Sequence, residues 1–226
     1  MSEIARTTGP VLVPYLRHVL RRLPLSTLGA AALLAGGFVW VSATRQHDPL
    51  RLVGYLRAPT VVLAASAAPF LDDVAAPMLD VTSHGRGRRR ALDALVGFTL
   101  VLASWAAVAM VALVIVDGTD QVRQFPWGAS LIEVAAMTMF GFVTMIVVTQ
   151  VTGPGSGGRV ALATGIAALG SLTIPQTNAW LWPTKPYGSA WRDAHVRWIV
   201  LAAVVLGAIT VLSRDPARRT RHSLAG

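Results

Sequence analysis

The sequence predicts an all-α integral membrane protein of about six transmembrane helices, N-in and C-in, with an amphipathic interfacial helix ahead of the first span. Three observations carry this prediction. Of the 226 residues, 54% are apolar and only 14% charged, with a mean hydropathy of +0.55. A soluble domain carries about 25% charged residues, so this chain lacks the polar surface to cover a core of its size. The apolar residues fall into six stretches, each close to the ~17 to 25 residues needed to cross a hydrocarbon core. The 20 basic residues, all arginine but one, cluster between those stretches, as orientation signals do.

Residues 1–24 form the predicted cytoplasmic amphipathic helix. Leu12, Leu16, Val19, Leu20 and Leu23 follow helical spacing, and Arg17, His18, Arg21 and Arg22 occupy the other side. Such a segment lies along the inner membrane surface with its arginines near anionic lipid, until Pro24 turns the chain into the first span. A basic flank that only anchors that span is the plainer alternative. Pro10, Pro14 and Pro24 interrupt the stretch, and it lacks a compact apolar region with a small-residue cleavage site, so it does not read as a cleavable signal.

The six-helix domain is expected over 25–213, with spans at 26–44, 52–71, 91–116, 129–151, 160–182 and 196–212. In lipid every backbone polar group needs an internal partner, so segments of this length are helices; barrel strands would be shorter and alternating. A basic cytoplasmic tail, 214–226, follows. With the N-terminus inside, the inner segments hold Arg6, Arg17, Arg21, Arg22, Arg86, Arg88, Arg89, Arg90, Arg159, Arg214, Arg218, Arg219 and Arg221. That is 13 of the 20 basic residues, against 7 spread over three outer loops. Trp40, Trp127, Trp180, Trp182, Trp191 and Trp198 fall at or near the outer interface, where an amphipathic ring is stable at headgroup depth; Trp105 alone lies inside a span.

The chain has no cysteine, which excludes disulfides, thiolate metal sites and a cysteine nucleophile. It has no His-Glu-x-x-His or Gly-x-Ser-x-Gly motif, and His18, His47, His84, His195 and His222 are too scattered in sequence to suggest a metal site. The run from Gly153 to Arg159 resembles a phosphate loop only in its glycines. Such a loop needs a Lys followed by Ser or Thr, and the only lysine, Lys185, is in an outer segment. The run reads as a flexible inner turn between the fourth and fifth spans.

Glu133, near the outer end of the fourth span, is the leading functional candidate within the spans, because an acid at membrane depth is costly unless it faces a cavity or a partner. A hydrated carboxylate near the surface is the alternative. Asp93, at the inner end of the third span, is expected to be interfacial and paired with one of the four preceding arginines. Pro59 and Pro69 bend or interrupt the second span. Beyond them Asp72, Asp73 and Asp80, followed by Arg86, Arg88, Arg89 and Arg90, put acidic and basic groups together on the cytoplasmic face, as either a docking projection or a charge-balanced loop. The fifth span is interrupted at Pro175, and Gln176, Thr177 and Asn178 follow. Backbone broken at membrane depth is tolerated where protein covers it or where it lines a watery cavity, so Pro175, Gln176 and Asn178, with Glu133, are candidates for a translocation path or outer gate.

The layout resembles the permease subunit of ABC transporters of the ABC-2 type, in particular the small actinobacterial permeases. The likeness rests on the basic segment before the first span, the six spans, the run Phe70, Leu71, Asp72, Asp73 leading to Arg86 through Arg90, the outer segment from Trp191 to Trp198, and the ending Arg214 to Arg219. The resemblance implies that Asp72, Asp73, Asp80, Arg86, Arg88, Arg89 and Arg90 form the loop that couples to an ATPase, and that Arg17, Arg21 and Arg22 belong to the connecting helix. It also implies a cell-membrane, multi-pass exporter that is not itself an enzyme. This chain would bind no cofactor; ATP and Mg would bind to a separate cytoplasmic ABC ATPase subunit. Two permease halves, as a homodimer or with a second permease subunit, would form the path. The lipid bilayer is the expected surrounding, and nucleic acid is not an expected partner. Two other classes stay open: a self-contained, ion-coupled carrier working through Glu133, and a membrane-embedded lipid-modifying enzyme holding a metal at Asp72, Asp73 and Asp80.

Overall fold

The computed structural model describes residues 24–44, 49–72, 86–117, 125–183 and 185–212. The predicted connecting helix with Arg17, Arg21 and Arg22, the acidic residues Asp73 and Asp80, and the basic tail lie outside them, as do the side chains of Arg86, Arg88, Arg89 and Arg90. The described residues are helical without any strand: α1 (Leu25–Ala43), α2 (Pro49–Ala65), a 3-10 turn (Ala68–Leu71), α3 (Arg86–Asp117), α4 (Trp127–Thr152), α5 (Gly157–Thr173), α6 (Pro175–Leu181) and α7 (Ser189–Leu212). Among the described residues five helices are long and apolar enough to cross a membrane, and six if α5 and α6 count as one broken span. This is compatible with a multi-pass membrane protein. The last span extends well before the expected 196, because α7 begins at Ser189.

The core sits around α2. Of its apolar span 72% is buried, against 22% for α1 and for α7, so α2 is the central helix and those two are peripheral. It packs against α1, α3, α4 and α5, while α7 packs mainly on α4. On α1 only a narrow stripe is buried, Leu28, Ala31, Ala35, Val39 and Ala43, at three- and four-residue spacing. On α3 the stripe runs Val101, Trp105, Val108, Ala109, Ala112, Leu113 and Val116. The other faces expose Leu33, Leu34, Val114, Leu162, Ile166 and Val204, an outer surface suited to lipid contact and not to water.

Pro59 lies buried within α2 and removes one helical donor. The polar groups beside it are locally satisfied: Thr60 Oγ1 donates to Leu56 O at 2.8 Å, and Trp105 Nε1 on α3 donates to Thr60 Oγ1 at 2.9 Å. Trp105 is thereby the polar fastener between α2 and α3, and its ring also meets Phe125 and Trp127. The end of α2 is sealed by the 3-10 turn. There Phe70 lies so close to Gly97 that a Cβ at position 97 would come within 2.8 Å of the ring.

The glycine run between α4 and α5 is a defined turn. Gly153 and Gly155 adopt φ of 81° and 92°, which favours glycine. Asp72 then reaches across from the end of the 3-10 turn: Gly155 N donates to its Oδ1 and Gly157 N to its Oδ2, both at 2.7 Å. Gly157 opens α5, so the chain's own carboxylate fills the site that a helix N-terminus offers an anion.

Candidate functional site

At the opposite end of the helices from the glycine run, three ionisable side chains from three elements meet inside the protein. Arg57 on α2, Glu133 on α4 and His195 on α7 are 4%, 3% and 7% exposed. Their placement follows from helix length. Arg57 lies eight residues into α2, and Glu133 and His195 each lie six residues into their helices, so all three sit roughly 9 to 12 Å from their helix starts. The helices start at the same end, so the three charges fall at one level.

The guanidinium makes directed bonds to backbone. Arg57 Nη1 donates to Trp182 O at 2.5 Å and Nη2 to Pro183 O at 2.7 Å. Its carbon lies 5.4 Å from the Trp182 ring centroid and 5.9 Å from that of Trp191, within cation–π range. Glu133 Oε2 stands 4.0 Å from Arg57 Nε, and Glu133 Oε1 stands 3.2 Å from His195 Nε2. Both are ion-pair distances without hydrogen-bond geometry. Arg57 Nε, Glu133 Oε1 and His195 Nε2 therefore have no hydrogen-bond partner among the described residues. His195 Nδ1 is 2.7 Å from Trp191 O.

The carbonyls held by Arg57 belong to the broken span. At Pro175 the chain turns by 94° between α5 and α6, and proline at the first helical position suits such a restart. Asn178 Nδ2 braces the bend by donating to Leu172 O at 2.7 Å. A short helix ends with unpaired carbonyls, and here side chains from other helices take up four in succession. Arg197 donates to Trp180 O, Trp198 to Leu181 O, and Arg57 to Trp182 O and Pro183 O. The far side of α6 borders an open groove of about 720 Å³, lined among others by Pro175, Asn178, Pro183, Lys185 and Ser189.

The expected site residues are thus distributed as follows. Glu133 is enclosed by protein beside two ionisable partners, so the alternative of a hydrated surface carboxylate does not hold. Pro175 and Asn178 shape the bend and line the groove, while Gln176 is exposed on α6. Asp72 is at the other end, with both oxygens occupied by the glycine turn. Asp93 is half-buried in α3. The tryptophans divide into two sets: Trp40 and Trp180 face outward as a belt would, whereas Trp182, Trp191 and Trp198 are buried around the clamp.

Sequence reasoning passes over Arg57 and His195. Arg57 falls inside the expected 52–71 span, and a guanidinium there demands a partner, which is the signal that could have found it. His195 stands one residue before the expected start of the last span. Among the described residues no group of three or more His, Cys, Asp or Glu could hold a metal ion. What the cluster can do chemically is hold a proton, and hold a backbone segment in place. No family model, curated protein or solved structure matches the chain.

Proposed function

We propose that this chain is the membrane-spanning permease subunit of an ATP-driven transporter of the ABC-2 type, working as an exporter in the cell membrane. The observation that carries the reading is the broken fifth span: six apolar segments, the fifth turning by 94° into a short helix clamped against the bundle beside an open groove. A second support is the lack of an energy source within the chain. The glycine run has no phosphate-loop lysine, and the N-terminus of α5 is filled by Asp72. ATP and Mg would bind to a separate cytoplasmic ATPase, docked on the segment that carries Asp72, Asp73, Asp80 and Arg86 to Arg90 and flanked by the connecting helix of Arg17, Arg21 and Arg22. Two six-span halves would enclose the path, alternately exposed as the ATPase states favour one arrangement or the other.

The test is copurification from native membranes in mild detergent. A cytoplasmic protein with a phosphate loop is expected to accompany the wild-type chain, and reversing the charge of Arg88, Arg89 and Arg90 together is expected to lower its recovery about tenfold or more. Undiminished recovery with the charge-reversed chain removes the loop from the docking surface. If no phosphate-loop protein accompanies the wild type, the ATP-driven reading fails and the ion-coupled carrier takes its place.

A further inference from the structure

We infer that Glu133 and His195 together bind one exchangeable proton, and that this proton keeps Arg57 clamped on the broken-span segment. The inference holds whichever energy source drives transport, because it rests on the geometry of the cluster alone. A backbone carbonyl only accepts, so His195 Nδ1, at 2.7 Å from Trp191 O, carries a hydrogen. In a neutral imidazole the other nitrogen is then unprotonated, and Nε2 stands 3.2 Å from Glu133 Oε1. A lone pair against a carboxylate at that distance, buried in a low-dielectric site, is repulsive. A proton on either group removes the conflict, giving an imidazolium beside a carboxylate or a carboxylic acid beside an imidazole. The two forms carry the same charge, so the proton belongs to the pair. With Arg57 the cluster then has a net charge of +1.

The neighbouring charges do not alter this count. From α2 the cluster receives Arg57, from α4 Glu133 and from α7 His195. The charge that acts on Arg57 is that of Glu133, and those that act on His195 are Glu133 and Arg57. Arg192 and Asp193 are exposed on α7, Arg197 is held on Trp180, and Lys185 is exposed at the groove. The segment 175–183 contributes no titratable side chain of its own.

Release of the proton to water leaves an anionic Glu133 beside a lone pair. Its nearest cation is Arg57, whose Nε is 4.0 Å away and has no hydrogen-bond partner. A charge-assisted bond closes to about 2.8 Å, so the guanidinium and carboxylate must approach by roughly 1 Å. If the guanidinium makes most of that move, its bonds to Trp182 O and Pro183 O lengthen past the range of a hydrogen bond. The proton therefore decides whether Arg57 serves the carbonyls or the carboxylate. Loss of the clamp frees the segment that forms one wall of the groove.

Backbone hydrogen exchange on the full chain in lipid nanodiscs tests this, scanned from about pH 5 to about pH 9 and corrected for intrinsic exchange. The reporter is the amide of Trp182, which donates to Asn178 O at 2.7 Å, with amides in the middle of α4 as the reference. Its protection relative to α4 is expected to fall about tenfold or more as pH rises. Glu133→Gln keeps the side-chain shape, offers a donor to His195 Nε2 and carries no charge to pull Arg57. It also keeps the net charge at +1, so protection should stay at the acid level throughout. His195→Gln supplies a fixed donor to Glu133 and should likewise abolish the transition; either variant suffices if the other does not fold. Wild-type protection that does not change with pH overturns the inference, as does a transition that persists in either folded variant.

Discussion

Replacing Arg57 with Met is expected to destabilise the protein by about 3 to 5 kcal/mol, the usual cost of stripping one partner from a buried ion pair. The loss has three sources: Glu133, 3% exposed, loses the guanidinium 4.0 Å away, and the carbonyls of Trp182 and Pro183 are left without donors. For a chain of this size that corresponds to a fall of roughly 10 °C in apparent melting temperature, measured by tryptophan fluorescence in detergent. The diagnostic result is the double variant. Adding Glu133→Gln to Arg57→Met removes the orphaned charge and should recover a substantial part of the loss, whereas two unrelated sites would add their costs. A drop smaller than about 1 kcal/mol, or no recovery in the double variant, would show that Arg57 and Glu133 are not energetically paired.

The second large effect is expected at the other end of the bundle. Asp72 accepts from two backbone N–H groups at 2.7 Å and lies against the positive end of α5. Asp72→Ala removes two charge-assisted bonds and a favourable dipole contact, about 2 to 4 kcal/mol together. Gly157→Ala should be comparably damaging from the opposite direction, because its Cβ would meet Asp72 Oδ2 at 2.8 Å and Pro69 Cα at 3.0 Å. Gly158→Ala supplies the control: nothing lies within 4 Å of a Cβ there, so it should be neutral or slightly stabilising. Thermal unfolding together with limited proteolysis at the glycine turn reads all three. Equal stability of the 157 and 158 variants would sink the strut assigned to Asp72. In the permease reading this strut ties the start of the coupling segment to the fifth span, so a movement of one is felt by the other.

The two ends of the bundle differ in how much of them the sequence reveals. That the glycine run turns the chain between the fourth and fifth spans follows from glycine alone. That the turn is ordered depends on Asp72, 83 and 85 residues earlier in the chain. Glu133 can be singled out because a carboxylate in an apolar stretch is conspicuous, and Pro175 because proline ends a helix. Arg57 is less conspicuous: it lies among scattered outer arginines, and its role depends on carbonyls 125 and 126 residues away. The tryptophans show the same divide. Position in the sequence assigns all but Trp105 to an interface, and only packing separates Trp40 and Trp180, which face out, from Trp182, Trp191 and Trp198, which surround the clamp.

By itself, then, the sequence determines the helical class, the approximate limits of the apolar segments, and the break at Pro175. These are local properties: an apolar run of ~20 residues has no other way to satisfy its backbone in lipid, and proline lacks its donor wherever it stands. The tertiary structure alone decides that α2 is central, that Arg57, Glu133 and His195 share one buried site, and that the broken segment is held by side chains of two other helices. Those facts depend on which faces of the helices meet, which is set by close packing of side chains far apart in the chain.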